Sequence, residues 1–114
     1  MIERRELKRR RLVQHLNVYD RATERFLGKA VDLTTKGLLI MSEQPLAVGA
    51  NLELRIDLPQ SLFGGDHLDL DAQVVWRRKD AKPGVFVVGC SITSLSQRDQ
   101  AVIGQLISSC ALVE

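Results

Sequence analysis

Arg5 and Arg9, set four residues apart in the opening stretch MIERRELKRRRL, are the first side chains whose type and spacing can do chemistry. Positions four apart point roughly the same way in a helix or a strand, because four is near one helical turn and a multiple of the strand period. The pair can therefore address one ligand together. A guanidinium is a planar fork that forms paired, charge-assisted hydrogen bonds with phosphate. It also stacks on flat rings and bonds the O6/N7 edge of guanine. Residues 1–11 hold six Lys or Arg against two Asp or Glu, a local charge of +4, while the whole chain carries +2, so the remainder sums to −2. A basic arm on a near-neutral body fits one anionic partner met at one place, although taken alone the stretch also reads as a solvated basic tail.

A second candidate is Asp32-Leu33-Thr34-Thr35-Lys36-Gly37. Asp and Thr can bond neighbouring backbone groups in a turn, and Gly37 can take positive φ where the chain reverses. A tight, side-chain-braced hairpin is thus a complete structural explanation. Yet Asp32 and Thr34 are two apart, which on strand geometry puts them on one side. A carboxylate beside a hydroxyl at an exposed strand end is also what the N1–H and N2–H donors of guanine require.

The elements that must position these residues read mostly with period two. Leu52, Leu54, Ile56 and Leu58 alternate with Glu53, Arg55 and Asp57, and Leu68, Leu70, Ala72, Val74 and Trp76 share one face of residues 67–77. Such half-buried alternation belongs to antiparallel sheets or barrels. Shorter strands are expected over residues 12–19, 26–33, 37–42 and 85–92. Turns are expected at residues 20–23, from Gln44-Pro45 to Gly49, from Pro59 through Gly64-Gly65-Asp66, and from Asp80 to Gly84. The period then changes. Ser96 is an N-cap with Asp99 three positions on, and Val102, Ile103, Leu106, Ile107 and Cys110 recur as one apolar helix face. The expected architecture is mainly β: a small antiparallel barrel (residues 12–95) with one C-terminal helix (residues 96–112) and a flexible basic N-terminal arm (residues 1–11), all in one domain.

The order R-x-x-x-R before the first strand, then [DN]-x-[ST]-x-x-G a couple of dozen residues on, resembles the PilZ domain family. The resemblance covers essentially the whole chain. It implies a six-stranded antiparallel barrel of split-barrel type that binds the bacterial second messenger cyclic di-GMP. It also implies that Arg5 and Arg9 grip phosphates and guanine faces, that Arg4 assists them, and that Asp32, Thr34 and Gly37 line the barrel beneath the ligand. The family usually has serine at the position of Thr34; threonine keeps the hydroxyl and adds a stiffening methyl. The partners implied are cyclic di-GMP and a downstream protein effector, the ligand serving as a signal rather than as a catalytic cofactor.

Other functions fit less well. Aromatic residues make up only 4% of the chain, and single-strand nucleic-acid platforms need exposed rings. With a net negative body, a nucleic-acid-binding barrel is the weaker alternative; a protein-interaction adaptor that works without nucleotide is the other. Cys90 and Cys110 match no zinc spacing and read as small buried hydrophobes in a reducing, cytoplasmic compartment. No metal site, membrane insertion or secretory leader is expected. Trp76 reads as core or barrel-rim packing, His15 and His67 as structural or solvated, Asp69 and Asp71 as a solvated face, and Arg77-Arg78-Lys79 as ordinary surface. Nothing assembles a nucleophile, a base and an oxyanion site, so no enzyme is expected.

Overall fold

Alternate residues of six successive strands turn inward and meet in one aliphatic core. The structure, a computed structural model, describes residues 10–62 and 65–113. Its elements are β1 (Arg10–Asp20), β2 (Phe26–Leu33), β3 (Gly37–Ser42), β4 (Asn51–Leu62), β5 (Gly65–Lys79), β6 (Phe86–Ser94), α1 (Gln97–Cys110) and β7 (Ala111–Val113). The pairings are antiparallel, and the strand order β2-β3-β6-β5-β4-β1 closes on itself because β1 also pairs with β2. The result is a closed six-stranded barrel, which leaves the six strands without free edges.

The short strand β7 adds to this plan. It follows the helix directly and pairs with the start of β1, Arg10 opposite Val113 and Leu12 opposite Ala111. The helix therefore stops at Cys110, and β1 begins at Arg10. The expected turn from Pro59 to Asp66 is replaced by the tip of a long hairpin, with β4 running on to Leu62 opposite Gly65. Pro59 has no N–H for a regular ladder, and it sits where the β4–β5 register is interrupted between Asp57 and Leu62.

The alternation read from sequence becomes the core. Leu54 and Ile56 of β4, Leu68 of β5, and Val102, Ile103 and Leu106 of α1 are all completely buried and belong to one cluster with the inward residues of the other strands. Ser96 Oγ accepts from the Asp99 N–H at 3.0 Å, the expected N-cap. The Asp99 carboxylate in turn receives Arg98 at 2.9 Å. At the opposite turn, Arg21 reaches from the end of β1 to donate to the carbonyls of Leu54 and Leu70 and to Asp71 at 2.9 Å. Asp71 is therefore an ion-pair partner that ties β1 to β4 and β5. Its hydrogen bond raises the Arg21 guanidinium further above its ordinary value.

Cys90 is a free, buried thiol on β6, whereas the Cys110 side chain lies outside those described. Burial pushes the Cys90 thiol from 9.0 up to about 11. Since the folded protein holds this proton more tightly than the unfolded chain, the stability from a neutral Cys90 is complete below about pH 9 and is lost as pH rises through about 11. Cys90 should resist alkylation at pH 8 in native buffer and react once urea unfolds the barrel. Replacing it with alanine should flatten the loss of stability between pH 9 and 11, measured by urea melts.

Candidate functional site

With the interior filled by aliphatic side chains, polar chemistry is left to the barrel's outer wall. Arg4, Arg5 and Arg9 lie outside the described residues. Asp32, Thr34 and Gly37 fall together at the β2–β3 turn, and two β-bulges decide what surrounds them.

The first bulge is in β2. Ala30 pairs with Ile40, but Asp32 pairs with Leu39, so Val31 is an extra residue. Ile40 and Leu38 point into the core and Leu39 between them points out. The inserted residue puts Asp32 on the outer side, opposite Leu39, where simple alternation from the buried Ala30 would have turned it inward. Asp32 is nonetheless only 6% exposed.

Thr34 braces the turn that follows. Its Oγ1 accepts the N–H groups of Lys36 at 3.1 Å and Gly37 at 3.2 Å, while its own N–H donates to the Gly37 carbonyl at 2.9 Å. The hydroxyl is thus committed to the loop, which holds the β2–β3 corner in shape. The Lys36 carbonyl accepts from the Ile92 N–H at 2.8 Å and fastens the turn to β6.

Gly37 has a different role from the expected one. It is not among the positive-φ residues. What it supplies is space: a Cβ here would lie 2.7 Å from the Cys90 carbonyl oxygen, a backbone atom that cannot swing aside. Gly37 therefore permits the close approach of β3 to β6.

The second bulge is in β5, and of the two readings of Trp76, core or barrel-rim packing, it rules out the core. Val74 pairs with Cys90 but Trp76 pairs with Gly89, leaving Val75 unpaired. The phase of alternation flips there, and Trp76 emerges on the outer wall, 37% exposed. The indole lies across Gly89, whose missing side chain makes room for it; a Cβ at Gly89 would come within 2.4 Å of the indole Nε1. A glycine in the middle of the apolar run of β6 was the signal of such a close approach, and sequence reasoning passed over it.

Pairing by pairing, the outer wall carries one row across four strands: Asp32 of β2, Leu39 of β3, Gly89 of β6 and Trp76 of β5, with the backbone of Arg11 in β1 opposite Asp32. Three strand spacings of about 4.8 Å separate Asp32 from Trp76, roughly 14 Å. Between them lie Leu39 and Gly89, with an acid at one side and an indole at the other. Such a face can seat a flat polar ligand of nucleotide size. Among the described residues, no group of three His, Cys, Asp or Glu could hold a metal ion, and no helix is long and apolar enough to cross a membrane.

The fold and the corner define a class of small closed antiparallel barrel with a bulged outer wall and a braced D-x-T-x-x-G turn. The PilZ domain family model matches residues 3–109, and the chain belongs to that family. Its members are cyclic di-GMP receptor and adaptor domains. Among solved structures, the fold resembles that of the inhibitor of motility MotI/DgrA of Bacillus subtilis, with a TM-score of 0.69 and 20% identity over 96% of this chain. The chain spans half the length of that protein. No curated relative matches the sequence significantly.

Two substitutions separate the roles found here. Gly37→Ala should cost about 1–3 kcal/mol by forcing β3 from β6, read as a lower urea midpoint. Thr34→Ser should be close to neutral because it keeps the hydroxyl, whereas Thr34→Val should cost about 1 kcal/mol by stranding two turn N–H groups.

Proposed function

We propose that this chain is a cytoplasmic receptor for cyclic di-GMP that passes the signal to a separate protein. In this reading the nucleotide lies on the outer wall between Asp32 and Trp76. Arg5 and Arg9, assisted by Arg4, close over it from the N-terminal side. Asp32 accepts from the N1–H and N2–H groups of a guanine, the Thr34-braced turn holds the corner beneath the ligand, and Trp76 offers a stacking surface.

The observation that carries the reading is the cross-strand row from Asp32 to Trp76, with the start of β1 paired to its acidic end. Arg11 is paired directly with Asp32, and Arg9 lies only two residues upstream. At no more than about 3.6 Å per residue, the motif is tethered within reach of the acid. The closing movement is confined to residues before Arg10, because Arg10–Leu12 is already held by β7. Ordering a basic leader around an anion exposes or hides a surface for a partner, and the contacts of Arg5 and Arg9 made only in the closed form supply the difference that drives the switch. MotI/DgrA is described as an inhibitor of motility, and a restraining contact with another protein is the kind of output such a switch can deliver.

Calorimetric titration with cyclic di-GMP should give saturable binding with a shallow salt dependence. A steep slope would point to polyanion binding, and absence of heat to an adaptor that works without nucleotide. Arg9→Ala should weaken binding by about 1.5–3 kcal/mol, roughly 10- to 150-fold, and Arg10→Ala by much less. Amide exchange over residues 2–9 should slow on binding; unchanged exchange alongside measured binding rejects the clasp.

A further inference from the structure

The run Arg77-Arg78-Lys79 at the end of β5 looks uniform in sequence, but its two arginines are differently employed. The Arg77 guanidinium donates to the carbonyls of Pro45 and Leu46, both at 3.2 Å, and lies over the Phe86 ring. It is a structural group that ties the loop before β4 to the end of β5. The Arg78 guanidinium lies over the Trp76 ring, 5.1 Å from its centroid, and forms no hydrogen bond or ion pair among the described residues. Among the described residues its five donors meet no acceptor.

The position follows from the β5 bulge. Trp76 and Arg78 are two apart after the phase flip, opposite Gly89 and Val87, so both stand on the wall that carries Asp32 and Leu39. Gly89 holds the indole from below, and Arg78 covers it. Any flat base that comes to this ring meets the guanidinium fork first.

We propose that Arg78 is a further ligand-contacting residue of this face, and that its guanidinium reads the O6/N7 edge of a guanine stacked at Trp76. This rests on the cyclic di-GMP reading above and names a base-selecting group within it. An exposed arginine changes rotamer in picoseconds to nanoseconds, so moving from the ring face to the edge of an arriving base is no kinetic barrier. Guanine presents two acceptors, O6 and N7, at the spacing of the guanidinium fork, whereas adenine presents N7 beside an amino donor. Only guanine therefore accepts both hydrogen bonds.

The test combines a protein change with a ligand change. Wild type, Arg78→Met and Lys79→Met are titrated with cyclic di-GMP and with its 7-deazaguanine analogue, which lacks N7. Arg78→Met keeps a long stem to pack on the indole and loses the fork; Lys79→Met removes the same charge one residue on. Arg78→Met should lose on the order of tenfold in affinity for cyclic di-GMP, while Lys79→Met should change it twofold at most. The penalty for removing N7 should shrink in Arg78→Met relative to wild type, because the group that sensed it is gone. An unchanged N7 penalty, or equal losses in the two variants, overturns the proposal while leaving the receptor reading intact. Wild type that fails to bind cyclic di-GMP removes both. Trp76 is the single tryptophan of the chain, so its emission, matched between the variants, checks that the indole has kept its seat.

Discussion

Six strands that close on themselves leave an interior wide enough for side chains and little else. Here that interior is taken by residues such as Leu33, Ile40, Leu54 and Val88, all completely buried, and α1 adds Val102, Ile103 and Leu106 to the same cluster. This filling governs everything else about the molecule. A polar ligand cannot enter without displacing aliphatic side chains, so recognition is forced onto the outer wall. There the residues that alternate outward, together with any irregularity of the strands, decide what chemistry is offered.

Of the irregularities in the strands, two inserted residues and two glycines shape this row. Val31 and Val75 each add one residue to a strand, and each insertion re-aims the residue after it: Asp32 in one case, Trp76 in the other. Gly37 and Gly89 act by absence. The first lets β3 lie against the Cys90 carbonyl, and the second lets an indole lie flat on β6. Together they convert an ordinary barrel wall into a row with an acid at one side and an indole at the other. None of this disturbs the core, because Ala30, Leu33, Val74 and Cys90 keep their inward places on either side of the bulges.

Charge is divided in the same spirit. Excess positive charge is concentrated in residues 1–11, and the body is slightly negative. Within the body the cations that matter structurally are already matched, Arg21 with Asp71 and Arg77 with two loop carbonyls. Arg55 stacks on Tyr19 at 4.6 Å with Asp57 close to its Nε, and Tyr19 meets Phe26 edge to face. These pairs hold the far side of the wall together. The row from Asp32 to Trp76 is where the proposed receptor reading places the nucleotide.

The strands, the closing helix and its serine cap could be read from the chain because each is a local property: period-two alternation, a change to 3.6, a side chain three residues from an orphan N–H. The R-x-x-x-R and D-x-T-x-x-G motifs were visible for the same reason, and so was the family they resemble. The extension of β4 past Pro59, the addition of β7, the outward turn of Trp76 and the true task of Gly37 were not. Each depends on which residue of another strand lies opposite, and one inserted residue reverses the face of all that follow it. A bulge leaves almost no trace in the strand that contains it; it exists only as a mismatch of counts between two strands. Sequence thus determined which residues could bind and what would bury itself, while pairing between distant strands decided which of them share a face.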